Sequence, residues 1–143
     1  MTITAIEALH NVHTATNDVL KGYREMAVRA EPDIQAVIQR LTALHKKHAS
    51  EQAAELARQH DSGKGDTSLQ GTINKAVVVM RDWISQLDRD VLPAVRLGEE
   101  ALRDKYNKAL EDMQVQGDPA ISDLLSRQLG LINGEIAKLP TTS

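Results

Sequence analysis

Between Asp33 and His60 the apolar residues keep a single helical stripe, and halfway along it the stripe turns polar. Ile34, Val37, Ile38, Leu41, Leu44, Ala49, Ala53 and Leu56 recur at three-four spacing, which puts them on one face of one long helix. Continuing the series past Leu44 lands on His48, with His45 beside Leu44 on the same side and Gln52 one turn further on. Pro32 supplies the start, because its fixed φ and missing N–H suit a first helical turn. Gly63 and Gly65, in a loop of small and polar residues from Asp61 to Ser68, supply the stop. A rod of this length and pattern needs other helices to cover it. Its midpoint marks where a buried polar layer, or a metal site, would lie.

The rest of the composition agrees with helices. The chain has 143 residues, enough for one domain over 1–143 with a real core. Ala, Leu, Ile and Val dominate that core and suit close helix packing. There is no cysteine, hence neither a disulfide framework nor a thiolate metal site. No apolar run approaches the roughly 20 residues that cross a membrane. The N-terminus lacks the basic and apolar regions of a signal peptide, so a cytoplasmic protein is expected. Net charge is −3 with both signs interspersed, and there is no Phe, one Trp and two Tyr. A nucleic-acid surface, which needs a basic stripe or stacking platforms, is not expected.

Taken in order, Thr4-Ala5-Ile6-Glu7 is a capping-box pattern opening a helix over 4–29 with the seam Ile6, Leu9, His13, Thr16, Leu20, Tyr23, Ala27. Glu31-Pro32-Asp33 is the turn into the second helix, 33–60, and so short a connection makes the two antiparallel neighbours. After the loop, Ser68 can cap a helix over 68–87 whose Val77-Val78-Val79-Met80 is apolar nearly all round. Such a stretch asks for cover on more than one side, from the bundle or a second subunit. Asp90 caps a helix over 90–116 with the seam Leu92, Val95, Glu99, Leu102, Tyr106, Ala109, Met113. Gly117-Asp118-Pro119 stops that helix and starts the last, 119–138, with Ile121, Leu124/Leu125, Gln128, Leu131/Ile132, Glu135 and Leu139 inward. The long connection from 61 to 89 can travel the length of a bundle and leave the second and third main helices parallel.

Gly22-Tyr23, Glu55-Leu56, Ser68-Leu69-Gln70-Gly71 with Trp83, Gly98-Glu99 with Tyr106, and Gln128 carry a resemblance. On them the chain resembles the ferritin-like superfamily, and more narrowly an uncharacterised bacterial family of small ferritin-like four-helix bundles. The resemblance implies an all-α, ferritin-like up-down four-helix bundle whose long crossover carries an extra helix. Catalytic ferritin-like proteins bind two iron or manganese ions through a Glu on each of two helices and Glu-x-x-His on the others. This sequence departs from that pattern. His45-Lys46-Lys47-His48 has no Glu three residues before either His, and the fourth helix has no His. An oxidase or ferroxidase activity is therefore not carried over.

Counting residues from the turns sets relative heights. With the first turn near 31.5, Asp18 lies opposite about 45 and His13 opposite about 50, at roughly 1.5 Å per residue. Glu99 lies opposite about Glu135 across the second turn, and parallel middle helices pair position 33 with about 90. Asp18, His45, His48, Glu99 and Glu135 then share one mid-bundle level, a ligand set suited to Fe, Mn or Zn. The competing meaning of the same residues is a hydrogen-bonded layer that fixes helix register. His10 and His13 read as a solvated face, and Tyr23 and Tyr106 as core residues with bonded hydroxyls. Trp83 reads as a packing anchor on the crossover. There is no Cys nucleophile, no Gly-x-Ser-x-Gly, and no strand before Gly63-Lys64-Gly65 to make a phosphate loop.

The expectation is a non-enzymatic bundle, stress-related on the resemblance, that works through its surface or by association, as a homodimer or larger with the crossover helix as the contact. The alternative is a metal protein holding a divalent ion at Asp18, His45, His48, Glu99 and Glu135.

Overall fold

The computed structural model describes residues 4–28, 32–61 and 91–139, and among them there are helices and no strand. The helices are α1 (Ala5–Ala27), α2 (Pro32–Asp61), α3 (Val91–Glu111), the short α4 (Met113–Gln116) and α5 (Pro119–Ile136). None is long and apolar enough to cross a membrane among the described residues. The expected crossover helix at 68–87, with Trp83 and the cap Asp90, lies outside the described residues.

Local chemistry explains the ends. Thr4 caps α1 by accepting the Glu7 N–H at 3.0 Å, and its hydroxyl donates to the Glu7 carboxylate at 3.3 Å. The box thus closes on the threonine hydroxyl and not on its backbone N–H. Asp118 caps α5 by accepting the Ile121 N–H, with Pro119 in the first turn. The expected single helix over 90–116 is broken. Asp112 leaves the helix with φ −73° and ψ 132°, and its carboxylate accepts the Gln114 N–H at 2.8 Å to start α4. A short acidic side chain that bonds a nearby backbone N–H competes with helix continuation. Restarting the helix resets its phase, so Met113, expected inward, is 80 % exposed and Val115 is fully buried in its place.

Hydrogen bonds between helices give their directions. His13 and Thr16 of α1 meet Gln52, while Gln35 reaches back to the Ala27 carbonyl, so α1 and α2 are antiparallel. His45 pairs with Glu99 and Gln52 with Tyr106, each 54 residues apart, so α2 and α3 run parallel. Gln52–Gln128 and Gln59–Asp118 make α5 antiparallel to α2, and Arg96 reaching the Ile136 carbonyl makes it antiparallel to α3. Each of α1 and α5 packs on both α2 and α3, which face each other across the bundle. The chain leaves α2 at one end and enters α3 at the other. The parallel pairing and its register, within one turn of the counted one, match expectation.

One core cluster joins the four long helices, with Leu9, Val12, Val19, Ile38, Leu41, Val95, Leu102, Ile121, Leu125 and Ile132 fully or almost fully buried. The apolar stripe of α2 is shifted from its expected position. Leu44 and Leu56 are half-buried and Ala53 is exposed, while Ile38, Leu41, His45, His48, Gln52 and Gln59 face in. On α5, Leu131 is 47 % exposed and Ile132 takes the core.

Candidate functional site: a buried polar core

Gln52 is the hub. Its side-chain amide nitrogen donates toward the Tyr106 hydroxyl at 2.8 Å, Gln128 Oε1 at 2.9 Å and Thr16 Oγ1 at 3.2 Å. With two hydrogens for three acceptors, one bond is shared. Tyr106 passes its own proton to Gln128 Oε1 at 2.8 Å, and Thr16 donates to the Val12 carbonyl. Gln128 then donates to the His48 carbonyl and to Glu51, which Arg127 pairs at the surface. On the far side, Gln52 Oε1 accepts from His13 Nδ1 at 3.0 Å. Because that oxygen can only accept, His13 carries its proton on Nδ1, and its Nε2 accepts from Asn17. One polar layer therefore ties α1, α2, α3 and α5 together. His10 and His13 are half-buried, not a solvated face.

Two turns along α2 is a second cluster. Glu99 Oε2 accepts from the Tyr23 hydroxyl at 2.5 Å and from His45 Nε2 at 2.7 Å, and all three side chains are fully buried. Burial, then the Glu99 charge, holds the Tyr23 phenol well above its ordinary value, and burial does the same for Tyr106, so both stay donors. The Tyr23 and His45 rings stack at 6.2 Å, and the His45 and His48 rings meet edge-on at 6.0 Å. Glu99 Oε1, His45 Nδ1 and both ring nitrogens of His48 are buried without a hydrogen-bond partner among the described residues. Burial pushes the His48 imidazole down to about 4, with the His45 charge acting the same way and Glu51 opposing it.

Of the five expected ligands, His45 and Glu99 touch and His48 lies one turn from His45. Asp18 and Glu135 do not join them. Asp18 is half-buried on α1, where burial raises its carboxyl. Glu135 binds Arg40 at 2.9 Å and Lys138 at 3.6 Å near the surface. Counting from the turns sets height, but azimuth follows the 3.6-residue period, and Asp18 sits two residues off the inward stripe at Thr16. Among the described residues no group of three or more His, Asp or Glu is placed to hold a metal ion. Gln52 is on the stripe read from the sequence, but its role as the hub of the polar layer is not among the expected site residues. Its position seven residues after His45, on the same face, was the available signal.

The described residues form an all-helical bundle with a polar core shared by four long helices. The chain belongs to the family described as a domain of unknown function (DUF2383), whose model matches residues 4–112, from the α1 cap to the Asp112 break. No curated protein and no solved structure matches it.

Proposed function

We propose that this chain is a ferritin-like bundle that acts by non-covalent association, as a homodimer, and not by catalysis. The observation that carries this reading is that the buried polar side chains bind one another. Gln52, Tyr106 and Gln128 close a network across the helices, and Glu99 Oε2 is held by Tyr23 and His45. Groups tied this way fix register and are shielded from any substrate. The parallel pairing of α2 and α3 supports the ferritin-like topology. The resemblance adds a bacterial, cytoplasmic, stress-related setting.

The dinuclear metal centre of catalytic ferritin-like proteins does not fit these residues. Tyr23 stands on Glu99 where a metal would be, Glu135 belongs to Arg40, and no Glu-x-x-His exists on α2 or α5. A second reading, a bound Fe, Mn or Zn ion, rests only on the atoms of His45, His48 and Glu99 that lack a partner among the described residues, since no three such groups there are placed to hold an ion. Elemental analysis of untagged protein, thermal melts with added Fe²⁺, Mn²⁺ or Zn²⁺, and light scattering separate the two. The proposal expects far less than one ion per chain, unshifted melts and a mass of two chains. A monomeric mass defeats the dimer, and a stoichiometric ion with a raised Tm establishes the second reading in place of the structural one.

A further inference from the structure

At the end of the bundle where α1 finishes and α2 begins, the two helices leave a groove of about 400 Å³ between them. Its floor is Leu20, Tyr23 and Ile38, all buried, and its rim includes Arg24, Ala43 and Lys46, all exposed. The Tyr23 hydroxyl is turned inward to Glu99, so the ring itself is what the groove meets. The lining residues follow the register of the helix pair, Ala27 level with Ile38 and Leu20 level with Lys46, which makes the groove roughly 10–12 Å long.

Charge bears on what the groove would take. The chain carries net −3, yet the groove is lined by two cations and no carboxylate. Neither Arg24 nor Lys46 takes part in an ion pair among the described residues. An apolar trough edged by two free cations matches one ligand chemistry, an anionic head on a short hydrocarbon tail. We propose that the α1–α2 groove binds a medium-chain fatty acid, its tail on Leu20, Tyr23 and Ile38 and its carboxylate between Arg24 and Lys46.

The tail and the head make separate demands, so they are tested separately. Isothermal titration of the full chain with monomeric hexanoate, octanoate and decanoate should show affinity rising by up to about fourfold per added methylene. Decanol should bind at least tenfold more weakly than decanoate. Arg24→Gln with Lys46→Gln should erase that preference, and Ala43→Trp, whose ring overhangs the trough, should abolish binding. All three positions are on the rim, and circular dichroism checks that the variants keep their helices. Equal binding of decanol and decanoate, or unchanged affinity in either variant, overturns the proposal. So does co-sedimentation with anionic phospholipid vesicles by a protein that takes up no decanoate, which would mean a membrane surface is the occupant.

Discussion

His48 is a buried, neutral ring at neutral pH, and neither of its nitrogens has a partner among the described residues. Its folded value lies at about 4, below the ordinary 6.5, because burial disfavours the cation. The unfolded chain therefore binds more protons between those limits, and stability falls as pH drops from about 6.5 toward 4. A shift of that size corresponds to at most about 3 kcal/mol at the acid end of the window. Half-buried His10, also held low by burial, acts in the same direction, and the raised Asp18 carboxyl acts against it. Denaturant titrations at pH 7 and pH 4.5 should show His48→Leu losing less stability on acidification than the natural chain. Equal losses would mean that the ring is not the acid-sensitive group. Gln52 is a different case, since its partners outnumber its hydrogens. Replacing it with Leu leaves Tyr106, Gln128 and His13 short of a partner, and should cost about 2–4 kcal/mol in a urea melt. A cost under about 0.5 kcal/mol would show that water replaces the amide.

Helix ends decide more here than helix middles. The stop at Gly117 comes from its place between two caps and not from a left-handed backbone, since its φ is −81°. A Cβ there would meet only backbone carbonyls, of Met113 at 3.5 Å and Gln114 at 3.6 Å, which is ordinary contact. Gly117→Ala should therefore stabilise the chain by about 0.4–1 kcal/mol through the unfolded state. A loss of more than about 1 kcal/mol in the same urea assay would reveal strain at that turn. Asp112 and Asp118 are the opposite kind of residue, each accepting a backbone N–H at the start of a helix.

Among the described residues one apolar cluster is reached by four long helices, and Leu102 of α3 is fully buried in it. Leu102→Ala should cost about 2–5 kcal/mol, the range for a buried leucine whose cavity only partly collapses. Since the polar layer and the apolar cluster share helices, far-ultraviolet dichroism and tyrosine fluorescence should report one transition at a common midpoint. Separate midpoints would show that the surroundings of Tyr23 on α1 and Tyr106 on α3 loosen independently of the helices as a whole. The same shared core explains why His45 and Glu99 meet. They come from α2 and α3, which are apart in sequence and opposite in the bundle, and contact only because those helices run parallel in register.

The sequence by itself determined the rods. Helix period, the caps at Thr4 and Asp118, and Pro32 and Pro119 in their first turns are local chemistry, as is the relative height set by counting from a turn. That is why the meeting of His45 and Glu99 was legible. Azimuth was not, because on α2 the inward face is polar and the apolar residues alone suggest a stripe rotated toward Leu44 and Ala53. Packing against three other helices decided which side of α2 is inside, moved Asp18 and Glu135 out of the core, and gathered Gln52, Tyr106 and Gln128 into one layer. A hydrogen bond across the bundle needs both partners placed at once, and only tertiary structure places both.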